Sequence, residues 1–315
     1  MPAAWRQLSE HCWLVPGGVN AVVLEHGGRA ALVDSGPDRD AGKRLARGLR
    51  ERGWRLEAIV TSHAHADHFG GHAALLRQHD VPVLAPPVEA ELMRAPVLEP
   101  IYLFHGAAPL PELTGRWLQA EPSRVDRLVD AGPLDLIGLP LALVAVDGHA
   151  PRQLALRVDD VLVAADAVFA SPVVARHPLL FSHDVRAQRE AAARVGDDRA
   201  RLAVPGHGAP GTPAALATAT LRAIDAAAAA VASALAAHVD HGATTGEVLR
   251  HVAAALGVTL DDLPRWHLNH TTISAYLAAA RAAGDCQVRI RDGELRWYPE
   301  PAGHAEPVAE RRSLR

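Results

Sequence analysis

The 315-residue sequence predicts an α+β protein in which two β-sheets pack face to face and helices cover the outside. Three observations carry this. Short apolar strand patterns recur in two similar halves, Cys12 to about Val60 and Val125 to Val204. Helical patterns are interposed at Arg39–Arg52, Phe69–His79 and Val185–Val195. Clusters of glycine, proline and aspartate punctuate both halves as turns.

Taken in order, Ala21–Leu24 and Ala30–Val33 flank Gly27-Gly28 as a hairpin, and the helix from Arg39 ends at Gly53. Leu56–Val60 reads as a buried strand, followed by the Phe69–His79 helix and a short strand at Val81–Ala85. Val88–Arg124 is proline-rich and reads as irregular, with Tyr102, Leu103, Phe104 and Trp117 as its large side chains. Strand patterns resume at Val125–Val129, Leu141–Val146, Leu154–Val158, Val161–Ala164 and Leu202–Val204. At Pro213 an alanine-rich helix begins, on which Ile224, Val231, Leu235 and Val239 form one apolar stripe. Helices at Thr244–Leu256 and Thr271–Ala283 follow, and a hairpin around Asp292-Gly293 joins Gln287–Ile290 to Leu295–Tyr298. The expected organisation is therefore a catalytic domain over 1–212, a connecting helix over 213–239, a small winged-helix-like domain over 240–300 and a loose tail over 301–315.

Composition narrows the functional classes. With 36 acidic against 32 basic residues the net charge is −4, so no basic excess marks a nucleic-acid surface. Cys12 and Cys286 cannot build a disulfide framework. Met1–Leu14 is broken by Arg6, Glu10 and His11 and has no secretory apolar core. The most apolar run, Ala226–Ala237, is too short to span a bilayer. The expectation is a cytoplasmic protein with no membrane partner, acting on a small molecule and able to form a homodimer.

The chemistry is concentrated at Thr61-Ser62-His63-Ala64-His65-Ala66-Asp67-His68-Phe69-Gly70-Gly71. Three imidazoles and a carboxylate follow directly on a buried strand. In an extended segment His63 and His65 point to the same side. Asp67 and His68 fall where the chain must turn before the next helix. Such a loop presents two pairs of donors of the type that suits zinc or iron. The intervening alanines leave room, and Gly70 and Gly71 allow a tight, close turn. Four donors are too few for two ions. Three more stand at predicted strand ends: His149 in Asp147-Gly148-His149, Asp166 after Val161–Ala164, and His207 in Pro205-Gly206-His207-Gly208. Isolated, each would be an ordinary surface or hydrogen-bonded residue. Gathered with the cluster, they point to metal. His72, His79, His177, His183, His267 and His270 read as ordinary histidines.

With these residues in place, the sequence resembles the metallo-β-lactamase superfamily. His63, His65, Asp67 and His68 match its H-x-H-x-D-H motif, and Val33-Asp34-Ser35-Gly36 resembles its first motif. The resemblance covers about residues 12–212 and implies an αββα sandwich with a binuclear site at one sheet edge. It implies that His63, His65 and His149 hold one ion, that Asp67, His68 and His207 hold the other, and that Asp166 bridges them. Asp34 is implied to support these residues from behind. The implied cofactors are two Zn2+, with iron or manganese as alternatives. The implied chemistry is attack by a metal-bridging hydroxide, with Asp67 as the catalytic carboxylate that orients it. Antibiotic hydrolysis is not expected, because Asp166 stands where true β-lactamases of the family place cysteine or serine. Hydrolysis of a small ester, thioester or lactone is the favoured expectation, with Tyr102, Phe104 and His105 as a substrate wall. The alternatives are a metal-dependent endoribonuclease or phosphodiesterase, suggested by His267-Leu268-Asn269-His270-Thr271 in the C-terminal unit, and an iron-dependent persulfide dioxygenase. Residues 240–315 hold nine arginines against ten acidic residues, which disfavours nucleic acid.

Overall fold

The computed structural model describes residues 5–300; the tail expected over 301–315 lies outside them. The first half is a seven-stranded sheet with its strands in chain order. It comprises β1 (Arg6–Gln7), β2 (Cys12–Val15), β3 (Ala21–His26), β4 (Arg29–Val33), then helix α1 (Arg39–Glu51) and β5 (Arg55–Val60). Short helices α2 (Ala66–Phe69) and α3 (His72–Leu76) lead to β6 (Val83–Ala85), and α4 (Pro87–Arg94) and α5 (Leu98–Leu103) lead to β7 (Arg127–Leu128). The second sheet is built from β8 (Gly132–Leu136), β9 (Leu139–Ala145), β10 (Leu154–Val158) and β11 (Val161–Ala165). Helices α6 (Ser171–Arg176) and α7 (Val185–Gly196) precede its last strand, β12 (Leu202–Pro205), giving the order β12-β11-β10-β9-β8.

Alternation along the strands explains the layers. Val22, Leu24, Ala31, Val33 and Val60 face inward onto Leu141, Leu143, Leu156, Val163 and Val204 of the other sheet. Their neighbours Val23, Leu32 and Ile59 face the opposite way, onto Leu45 and Leu49 of α1, Leu75 of α3 and Met93 of α4. On the far side, Ala155, Leu162 and Ala164 pack on Ala191, Ala192 and Val195 of α7. This is the expected αββα sandwich. Strands covered on both faces read as continuous apolar runs, which is why Ala21–Leu24 is wholly buried.

After the sandwich come α8 (Pro213–Ala236), α9 (Thr245–Leu256), α10 (Leu263–Ala283) and the hairpin β13 (Cys286–Arg291) with β14 (Glu294–Pro299). At 24 residues α8 is long and apolar enough to cross a bilayer by length and composition. Its Ile224, Val231 and Leu235 instead pack on Val248, Leu249, Ile273 and Leu277 of α9 and α10. A capping box starts α9, with Thr244 and Glu247 each accepting the other's backbone N–H.

Several sequence expectations need correction. The Phe69–His79 helix is two short helices broken at Gly70-Gly71, where an added Cβ would meet backbone oxygens of Pro37 and Ser35 at 2.3 and 2.4 Å. Asp67 and His68 lie within α2 rather than in a turn before a helix. The stretch 88–124 is not irregular throughout. Pro87 opens α4 at a helix N-terminus, where proline loses no hydrogen bond, and Pro100 sits in the first turn of α5. The strand β8 was not expected, because Pro133 and Asp135 interrupt its apolar pattern. The helix expected from Thr271 begins at Leu263, capped by the Asp262 side chain on Arg265 N–H, so His267–Thr271 lies inside it.

Candidate metal centre

The strands that carry the predicted ligands all deliver them at one edge. His63 follows β5, and β4, which ends before Asp34, runs parallel to it. In the second sheet β9 and β11 are each antiparallel to β10, and β12 is parallel to β11. His149, Asp166 and His207 therefore leave the same end of that sheet. The two sheets are stitched together there. Leu154 N–H donates to Ser62 O at 3.0 Å, and Asn20 donates its backbone N–H to Gly206 O and its amide to Pro205 O and Gly208 O.

All seven expected residues meet, as three overlapping groups: His63, His65 and His149; His63, His68 and Asp166; and Asp67, His68 and His207. Backbone and side-chain partners fix which ring atom each imidazole presents. His63 Nδ1–H donates to Ser62 Oγ at 3.0 Å, and that hydroxyl donates to Asp34 Oδ2 at 2.8 Å. His68 Nδ1–H donates to the same Asp34 oxygen at 2.8 Å, while Ser62 N–H fills Asp34 Oδ1. His149 Nδ1–H goes to Phe181 O and His207 Nδ1–H to Gly18 O. Each of these four rings thus turns Nε2 inward, and His65 presents Nδ1.

The first group cannot be held by hydrogen bonds alone. His63 Nε2 and His149 Nε2 lie 3.0 and 2.9 Å from His65 Nδ1, yet two of the three inward nitrogens have their protons on the other ring atom. Around a tetrahedral zinc with bonds of about 2.0–2.1 Å, nitrogen donors stand about 3.3 Å apart, so a cation fits the spacing. The second group leaves buried polar atoms unserved. His68 Nε2 and Asp166 Oδ1 have no hydrogen-bond partner and face each other at 3.5 Å. Asp166 Oδ2 lies 3.4 Å from both His149 Nε2 and His207 Nε2, so this carboxylate touches both groups. Asp67 Oδ2 lies 3.3 Å from His207 Nε2. The donor set fits divalent metal.

Electrostatics sets the first group apart from His68 and His207. Burial, with its imidazole neighbours, holds His63 well below the usual histidine range and His65 down at about 3. Burial acts the same way on His149. At His68 and His207, outside the first group, burial is overcome by the carboxylates: Asp166 and Asp34 push His68 up, and Asp166 and Asp67 push His207 up to about 10. Asp67 falls to about 2 against its own burial, through His207 and His68.

Sequence reasoning missed four residues that shape the site. Asn20 and Ser62 are named above; Glu89 and Phe181 are the others. Phe181 lies edge-on to His65 and His149 at 5.4 and 5.6 Å between centroids. It shares an apolar cluster with Phe104, Leu103, Leu113 and Leu268 of α10. Of the expected wall, Phe104 belongs to this cluster, Tyr102 is 40% exposed, and His105 turns to His270 and His267 at 5.4 and 6.4 Å. His72 is an ordinary core histidine, bonded to Ser123 at 2.8 Å.

A two-sheet sandwich that gathers five imidazoles and two carboxylates at its strand ends has the donor set of a metalloprotein. The chain belongs to the metallo-β-lactamase superfamily, whose family profile matches residues 14–207. It is similar to an atrochrysone carboxyl ACP thioesterase of Aspergillus fumigatus, at 24% identity over 61% of this chain and 51% of the relative. It is also similar to a hydroxyacylglutathione hydrolase of Alkalilimnicola ehrlichii, at 34% identity over 45% of this chain and 43% of the relative. The chain thus spans about half the length of these two relatives. A metallo-beta-lactamase family protein of Thermus thermophilus shares the fold with a TM-score of 0.70, at 20% identity over 93% of this chain and all of that one. That overlap takes in the C-terminal helices as well as the sandwich.

Proposed function

We propose that this chain hydrolyses a small ester, thioester or lactone at a site holding two zinc ions. His63, His65 and His149 would hold one ion and Asp67, His68 and His207 the other, with Asp166 between them. The observation that carries this is the convergence of seven side chains in which His68 Nε2 and Asp166 Oδ1 are buried and unpaired. Ions bound there would supply Lewis acidity and bring the pKa of water from about 16 toward 7. Asp67 gives one oxygen to the His207 side and keeps the other free to orient the attacking water and take its proton. Asp34 and Ser62 hold His63 and His68 by Nδ1, so that Nε2 is the atom each would offer a bound ion, with His68 giving up its Nε2 proton on binding. Similarity to a thioesterase and to a hydroxyacylglutathione hydrolase supports an acyl substrate.

Phe181 lies beside His65 and is backed by Phe104 and Leu268, and we read the C-terminal helical unit, through Leu268 of α10, as part of this apolar wall rather than as a grip on polynucleotide. Leu268→Ala is expected to lower kcat/KM for a hexanoyl ester more than for an acetyl ester, by about tenfold, since pocket contacts of this size are worth about 1–3 kcal/mol. Chain-length profiles of the two proteins check this.

The deciding experiment is a substrate panel: p-nitrophenyl esters, thioesters and lactones beside bis-p-nitrophenyl phosphate and labelled RNA. The expected result is acyl hydrolysis, abolished by chelation and restored by zinc. Strong phosphodiester cleavage with inert esters would replace this reading with the nuclease one. Iron-dependent oxygen uptake without hydrolysis would replace it with the dioxygenase one.

A further inference from the structure

The wholly buried carboxylate of Glu89, on α4, lies outside the seven-residue cluster and has no role in the chemistry above. Its two oxygens serve two different loops. Oε2 accepts the backbone N–H of Ala64 at 2.8 Å, and Oε1 accepts the backbone N–H of Arg152 at 2.9 Å. Ala64 is the residue between His63 and His65. Arg152 closes the turn that carries His149. These loops meet where His65 Nδ1 and His149 Nε2 stand 2.9 Å apart.

Burying a carboxylate is costly unless it is paired, and the partners of this one are two backbone N–H groups rather than a cationic head group. Arg152 contributes only its N–H, because its guanidinium turns away to Asp130 at 2.7 Å. A neutral side chain would not do the same task. Glutamine offers one acceptor, and its NH2 group would be set against the second N–H. Two inward-pointing donors on separate loops need two acceptors on one rigid group.

We propose that Glu89 is the positioning residue of the first triad. It clamps the His63–His65 loop to the His149 loop, so that three imidazole nitrogens are pre-set for one ion. This rests on the reading that those three histidines hold metal. It predicts that losing the clamp weakens ion binding in folded protein, beyond any loss of stability.

The test uses full-length Glu89→Gln, with Glu91→Gln on the exposed side of the same helix as control. Cobalt(II) or zinc is titrated in competition with a chelator, visible cobalt absorption is recorded, and metal-free thermal melts are run in parallel. The expected result is a drop of about 10–100-fold in the affinity of one ion per chain, the size seen when groups supporting metal ligands are lost. The cobalt spectrum is expected to change with it, while Glu91→Gln behaves as wild type. Should Glu89→Gln not fold, Glu89→Asp carries the same test, since it keeps the charge but reaches only one of the two N–H groups. A variant that melts earlier yet binds both ions with wild-type affinity and spectrum overturns the clamp and leaves the metal reading intact. A wild-type protein that binds no ion overturns the metal reading, and the clamp with it.

Discussion

Replacing His65 with alanine is expected to remove one ion per chain and to leave less than about 1% of turnover. Losing a group that merely supports a ligand costs about 10–100-fold, and a ligand itself costs more. His65 is the middle donor of the first group, 3.0 Å from His63 Nε2 and 2.9 Å from His149 Nε2. Its neighbours have their protons committed elsewhere, to Ser62 and Phe181, so they cannot turn to replace it. Without its imidazole only two donors face the first position. The fold does not depend on this ring, which is only partly buried, and the metal-free variant is expected to melt close to the metal-free parent. Elemental analysis, turnover and thermal melts together decide. Full metal content and full activity would show that the histidines converge for another reason.

Much of this site was legible because each ligand stands just past a strand that periodicity reveals. His63 follows Val60, Asp166 follows Ala165, and His207 comes two residues after Pro205. A histidine-rich turn after a buried strand needs only local sequence to be seen. Glu89 and Asn20 carried no such signal, since their work is done across the chain. Glu89 lies 25 residues from Ala64 and 63 from Arg152, and Asn20 lies 185 from Pro205. The sandwich was visible for the same local reason: strands buried on both faces read as unbroken apolar runs. The proline-rich stretch reads as irregular from sequence because proline breaks the interior of a helix. At Pro87, Pro100 and Pro264 it sits in the first turn of a helix, where its missing N–H costs nothing. The start of α10 carries a readable signal, an aspartate cap followed by proline at Asp262-Leu263-Pro264.

Gly206→Ala is expected to be nearly as damaging as losing a ligand, although glycine binds nothing. A Cβ at this position would lie 1.9 Å from Asp166 Oδ1 and 2.8 Å from His68 Cε1. Both neighbours belong to the cluster, and both are buried. The backbone cannot easily retreat, because Gly206 N–H is bonded to Ala165 O at 2.9 Å and Gly206 O accepts Asn20 N–H at 2.7 Å. The added methyl must therefore push the Asp166 carboxylate out of the space where it touches His68, His149 and His207. Overpacking of this kind costs about 1–3 kcal/mol of stability, which a protein of this size tolerates. The expected signature is a modest fall in melting temperature with ion content and turnover collapsing together, by about 100-fold or more in turnover. Gly211→Ala is the control, since its Cβ would make only ordinary contacts at 3.4 Å with Leu216. If Gly206→Ala kept both its ions and its rate, Asp166 would not be the carboxylate on which the two halves of the site depend.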